Sequence, residues 1–368
     1  MKIFKIKGFE DFIASVTAVL AGLLVGLAVL IITDASQAFP AFLNILTFGF
    51  QSMRNFGDVL YFATPIIMTG LSVGFAYKTG LFNIGASGQF TFGAFAAVYV
   101  GLEMGHLPPA IRIPLAIFAA MTAGALWGAI PGLLKAYRNV HEVISCIMTN
   151  YIGIFLVNYL ILNTGNMFDP FRSATARMPT SSNLPTLGFE NIFRDRLLSS
   201  SVNSGIVIAL FSAILMYIVL EKTTFGYELK AVGLNRNAAK YAGVNENKSI
   251  VFSMMISGAL AGLGGALHFL SGAGVSMNVA DVLAAEGFMG ISVALLGLSN
   301  PIGIIFSGSL IAYLQLGGFT MQLYGFVPEI IEIVISVIIY FSAFALLVKM
   351  FLRNRLKKEE SKEGGQEE

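Results

Sequence analysis

The chain has 368 residues, of which 56% are hydrophobic and 12% charged, with a net charge of +2. A soluble domain carries roughly 25% charged residues, and the mean hydropathy of +0.76 points away from that class, so composition excludes an ordinary soluble protein. The near-neutral charge carries no information on partners.

Several uncharged runs are long enough to cross a hydrocarbon core of ~30 Å as a helix, which predicts an all-α membrane protein. The N-terminal "MKIFKIKGFEDF" leads into an apolar run with no small-residue cleavage site; it reads as a retained first span, not a cleaved signal peptide. About ten candidate spans follow in chain order, at 12–33, 59–77, 89–105, 113–134, 143–163, 204–220, 250–271, 286–298, 302–318 and 329–349. The short basic segments set the orientation. Lys2, Lys5 and Lys7 precede the first span, Lys135 and Arg138 follow the fourth, Lys222 to Lys248 follow the sixth, and Arg353 to Lys358 follow the last. Alternation puts all four groups, and both termini, in the cytoplasm. The transmembrane domain then covers 1–350, with an extracellular loop at 164–203, a cytoplasmic segment at 221–249 and a charged cytoplasmic tail at 351–368. Spans one to five and six to ten suggest two halves inverted in the membrane, as in many transporters; "TFGF" at Thr47 to Phe50 echoes "TFGY" at Thr224 to Tyr227. Chance similarity between apolar segments is the alternative.

The lone cysteine, Cys146, lies inside a span, so no internal disulfide is expected. His106, His141 and His268 are scattered, which argues against a histidine-rich metal site. The stretch "TGLFNIGASGQ" packs Gly80, Gly85 and Gly88 beside Asn83 and Gln89. Irregular backbone at membrane depth is tolerated only where protein buries it or water reaches it. Asn83 and Gln89 are therefore candidates for a solute pathway, whereas Gly85, Gly88 and Gly93 also fit close helix packing. Asn150 could bind a solute or a neighbouring helix. Phe90 and Phe288 are candidate pathway aromatics, and Phe82, Phe92 and Phe95 could stack on a base or simply pack. Glu286 is a possible intramembrane acid and so a functional candidate, and Glu329 and Glu332, one turn apart, could pair, but all three border loops, which favours solvated carboxylates.

The segment "EKTTFGYELKAVGLNRNAAKYAGVNENKS" (221–249) is too long for a turn. Asn235 is placed to cap a short helix beginning "RNAAKYAG". Such a helix could anchor at lipid headgroups or dock a soluble partner. Its small residues Ala231, Ala238, Ala239 and Ala242 favour docking, with Gly233, Asn235, Ala238, Ala239 and Gly243 as the coupling residues.

Four stretches together carry a resemblance. "TTFGYELKAVGLNRNAAKYAGVNENKSIVFSMMISGALAGLGGA" (223–266), "FNIGASGQFTFGAFAA" (82–97), "HEVISCIMTNYI" (141–152) and "GFMGISVALLGLSNPIG" (287–303) resemble, in order, signatures of ABC-importer permeases for simple sugars and nucleosides. Ser87 stands where many relatives have Glu. The resemblance implies the larger permease subunit of a bacterial nucleoside uptake system in the plasma membrane, with no cofactor of its own and no nucleic-acid partner. ATP and Mg would sit on a separate ATPase seated on the 221–249 segment, and no phosphate-loop motif appears in this chain. A second permease, an extracellular solute-binding lipoprotein and membrane lipid are the other implied partners. The spans hold few internal charges, which suits a neutral solute. A ribose- or galactose-like sugar is the alternative to a nucleoside. An ion-coupled secondary transporter would need intramembrane acids, and an intramembrane enzyme would need paired catalytic groups.

Overall fold

The computed structural model describes residues 7–195, 198–343 and 350. In chain order its helices are α1 (Lys7–Thr33), α2 (Ala35–Gln51), α3 (Met53–Lys78), α4 (Ala86–Glu103), α5 (Pro109–Arg138), α6 (Glu142–Asn163), α7 (Phe189–Ile192), α8 (Gly205–Lys222), α9 (Thr224–Leu234), α10 (Arg236–Tyr241), α11 (Glu246–Phe269), α12 (Ala285–Leu296), α13 (Pro301–Phe319) and α14 (Pro328–Ala343). Two small antiparallel hairpins, β1 (Phe168–Asp169) with β2 (Ala174–Thr175) and β3 (Arg194–Asp195) with β4 (Leu198–Ser199), fold the expected external loop into ordered structure. The expected tail at 351–368 and the lysines at 2 and 5 lie outside the described residues.

Local chemistry places the helix ends. Asp34, Ser52, Thr223, Asn235, Asn245 and Asn300 each accept a backbone N–H from the first turn of the helix that follows, which satisfies donors that otherwise lack partners. Asn139, in the left-handed region at φ 50°, ends α5.

Six helices among the described residues are long and apolar enough to cross a membrane: α3, α5, α6, α8, α11 and α13 together with the 3₁₀ turn that extends it. Val19–Thr33 of α1 and α12 are shorter apolar helices. With twelve residues, α12 is about 18 Å long, too short to cross alone. Burial separates inner from outer helices: 89% of the most apolar stretch of α3 is buried and 72% of that of α11, against 28% for α5. So α3 and α11 form the centre, and α5 offers most of its surface to the surroundings.

The centre is drawn together by missing side chains. A Cβ on Gly262 would collide with the Ala120 carbonyl and stand 3.1 Å from Gly124 Cα. Gly258 sits equally close to Gly124, and Gly93 to Gly262. Helix association in lipid rests on such close backbone packing, so α4, α5 and α11 form one unit.

The sequence reading placed no helix between 33 and 59, yet α2 fills that interval with Pro40 inside it. Tertiary bonds hold it. Asn44 Nδ2 donates to Thr320 Oγ1 (2.5 Å), the Tyr313 hydroxyl donates to the Leu46 carbonyl (2.7 Å), and Asn55 Nδ2 donates to the Phe48 carbonyl (3.0 Å).

Candidate functional site: a closed polar layer, a break in the helices and an ion-paired clamp

Between α3 and α4 the chain turns through 79–85, and the turn places Asn83 fully inside the protein. Asn83 Nδ2 donates to Ser257 Oγ (2.6 Å) and to Gln89 Oε1 (2.8 Å), and Gln89 Nε2 donates back to Asn83 Oδ1 (3.2 Å). The Cys146 thiol points at the same Asn83 oxygen (3.7 Å). Ser257 Oγ also donates to the Ser72 carbonyl (2.7 Å), and Thr79 and Ser253 hydroxyls meet at 2.7 Å. Asn150 of α6 accepts the Gly88 N–H (2.9 Å) and donates to the Ile84 carbonyl (3.0 Å), bridging both sides of the break. The sequence-derived residues Asn83, Gln89 and Asn150 are thus brought together, each buried with its hydrogen bonds met inside the chain. In this conformation they hold four helices in register.

The start of α12 is fixed to the same layer. Ser87 Oγ donates to the Ala284 carbonyl (2.9 Å), and Thr69 Oγ1 donates to the Glu286 carbonyl (2.8 Å). Gly287 lies against the Ser87 backbone with no room for a Cβ. Phe90 is 2% exposed and packs near His268 and Phe269, whereas Phe288 is 39% exposed. Phe92 stacks on Trp127 at 4.3 Å and Phe95 tilts against Tyr99, both packing contacts. Glu329 and Glu332 are exposed.

On one face of the bundle α8 runs into α9 and α10. The expected cap is present: Asn235 Oδ1 accepts the Ala238 N–H at 3.0 Å. Ion pairs hold the segment, Lys230 Nζ to Glu221 at 3.0 Å and Arg236 Nε to Glu246 at 3.1 Å, with Arg236 also donating to Asn247 at 3.2 Å. Lys135 and Glu142, 2.8 Å apart, tie α5 to α6. Gly233 rests on the end of α3: a Cβ there would stand 2.5 Å from the Lys78 carbonyl and 2.9 Å from Gly80 N. Gly80 has φ +73° and Gly243 φ +87°, so both occupy backbone that glycine favours.

One expectation is corrected here. The small size of Ala239 suits an outward docking face, but the residue is 4% exposed and packs with Ala76, Leu81, Val232 and Met254 of its own chain. Ala238, Ala242 and Gly243 are exposed. The prominent outward side chains are ones the sequence reading passed over: Tyr227, Leu234 and Tyr241, exposed at 72%, 89% and 94%. Large apolar groups on one face fit a headgroup anchor as well as a docked partner, so the small residues alone do not decide between the two.

A mostly helical apolar bundle, with a buried polar break between α3 and α4 and an ion-paired segment wedged against its end, fits a transport permease. The chain belongs to the branched-chain amino acid transport system permease family, whose model matches residues 55–343. It is similar to the guanosine ABC transporter permease NupP of Bacillus subtilis, 37% identical over 362 residues covering 96% of this chain and 99% of the relative. It is also similar to the nucleoside ABC transporter permease NupB of Lactococcus lactis, 35% identical over 91% of each chain. NupQ, a guanosine ABC transporter permease from the same Bacillus subtilis strain, is 27% identical over 67% of this chain and 76% of its own length. No solved structure matched the chain. The protein is a transport permease subunit, not an enzyme.

Proposed function

We propose that this chain forms the membrane pathway of a bacterial ABC importer for nucleosides, with guanosine the first solute to test. The observation that carries the solute class is the 37% identity to a guanosine permease across nearly the whole chain. ATP and Mg bind a partner ATPase, and this chain carries no cofactor. The 224–243 segment seats in that ATPase through Tyr227, Leu234 and Tyr241, with Gly233, Asn235, Ala238 and Gly243 setting its shape and Ala239 anchoring it from within. A second, non-identical permease completes the pathway. An extracellular solute-binding lipoprotein delivers the solute, lipid surrounds the bundle, and no nucleic acid takes part. Existence of two guanosine permeases in one bacterium, both similar to this chain, supports the pairing.

The bundle lies in the plasma membrane in two inverted halves, with both termini cytoplasmic and α12 entering the membrane without crossing it. The pathway runs beside α4 and α12, where Phe90 and Phe288 contact solute. Asn83, Gln89 and Asn150 join it when the 79–85 turn moves with α9.

Reconstitution of the complex in liposomes tests this reading. Uptake of guanosine should require ATP and an active ATPase, and excess ribose or galactose should not compete. Uptake driven by an ion gradient with an inactivated ATPase, or uptake of sugar alone, overturns it.

A further inference from the structure

His268 and Glu286 differ from the polar groups of the closed layer. Neither side chain has a hydrogen bond or an ion pair among the described residues, and neither contributes to the buried polar atoms left unpaired. Their polar atoms therefore reach open space. From Leu260 to Leu267 every residue of α11 is buried, and accessible surface opens at His268 and Phe269. Glu286, in the first turn of α12, is also partly accessible and lies within electrostatic reach of both His268 and Tyr61.

Aromatic rings flank it: His268 and Phe269 are partly accessible, while Tyr61 and Phe90 behind them are buried in this conformation, at 7% and 2% exposure. The Tyr61 and His268 rings are nearly parallel, 14° apart, with centroids separated by 6.4 Å. Phe90 borders His268 at 6.2 Å, and Phe269 meets it edge-on at 4.8 Å. The Tyr61 hydroxyl is fixed to Ser271 Oγ at 3.2 Å, which sets its ring plane.

We propose that Tyr61, Phe90, His268 and Glu286 form a nucleobase site selective for guanine-type bases. This rests on the nucleoside reading above. The rings stack on the flat heterocycle. An unpartnered carboxylate accepts two adjacent N–H donors, and guanine presents such a pair in its ring N–H and amino group, whereas adenine presents a donor beside an acceptor. The imidazole supplies a further donor or acceptor at the edge of the base. An ionisable side chain within a membrane bundle without a protein partner is a functional group by default.

The test uses the complete complex in proteoliposomes with saturating solute-loaded binding protein, so that the donor's own affinity drops out. Glu286→Gln keeps shape and removes the charge. The ratio of guanosine to adenosine uptake rates should fall about tenfold, the loss of one charge-assisted hydrogen bond. An unchanged ratio overturns the site, and a wild-type complex that moves ribose and no nucleoside overturns the nucleoside reading instead. If Glu286→Gln does not assemble, 8-azidoguanosine photolabelling of the wild-type complex decides. Label on the peptides holding Tyr61 or His268 supports the site, and label confined to other peptides overturns it.

Discussion

The layer around Asn83 and the opening around His268 are built on the same three helices, α3, α4 and α11. They lie eleven residues apart on α11, from Ser257 to His268, which is about 16 Å. In the first, amides and hydroxyls find one another: Asn83 with Gln89 and Ser257, Asn150 with both sides of the break. In the second, an imidazole and a carboxylate find no protein partner, and aromatic rings surround them. Burial alone does not distinguish a structural polar group from a functional one in a membrane protein. Where the partners belong to the chain, the network sets the packing; where they are missing, the site is left for something that passes through.

The comparison can be broken most severely at the frame both layers share. Gly262→Val places branched carbon against the Ala120 carbonyl and Gly124. Overpacking of that kind costs about 3 kcal/mol, so the purified complex should melt well below wild type. A normal melt would show that the seam has slack.

Asn83→Ala comes next. Hydrogen bonds between membrane helices average about 0.6 kcal/mol with a ceiling near 1.7, so losing the Gln89, Ser257 and Cys146 contacts should cost roughly 2 kcal/mol of stability while the guanosine-to-adenosine ratio stays constant. A stable variant with altered solute preference would exchange the roles of the two layers. Tyr61→Phe removes only the Ser271 bond, about 0.6 kcal/mol; it retains stacking, so uptake should stay within twofold of wild type, whereas Tyr61→Ala should lose most of it. Uptake by Tyr61→Ala at the wild-type rate would remove the ring from the pathway.

The smallest stability effect belongs to Tyr241→Ala. That side chain is 94% exposed, so stability should change by less than about 0.5 kcal/mol. Stimulation of ATP hydrolysis by loaded binding protein should nonetheless drop several-fold. Unchanged stimulation would take Tyr241 out of the coupling surface.

Much of the helical framework was legible because apolar length is a local property. The run read as 143–163 is Glu142–Asn163, and that read as 204–220 is Gly205–Lys222. The Asn235 cap was equally legible, since donor and acceptor are three residues apart. Helix α2 was not, because Pro40, Asn44 and Gln51 dilute its apolar pattern and the bonds that hold Asn44 and the Leu46 carbonyl come from Thr320 and Tyr313, far along the chain. Tyr61 and His268 escaped for the same reason: neither carries a motif, and only the antiparallel packing of α3 on α11 stacks them. Ala239 was misplaced because a small residue reads the same on the inner and outer faces of a short helix.

Gly80 and Gly233 give the break a mechanical property. They meet backbone to backbone, with a Cβ on Gly80 only 3.2 Å from Gly233 Cα. No rotamer lies between them to absorb a displacement, so the joint has no play. A displacement of α9 toward α3 would therefore bear directly on the 79–85 turn. The two glycines are also fixed for different reasons, one by its φ of +73° and the other by lack of space. Enlarging one cannot be matched by shrinking the other, and the bearing has only one size.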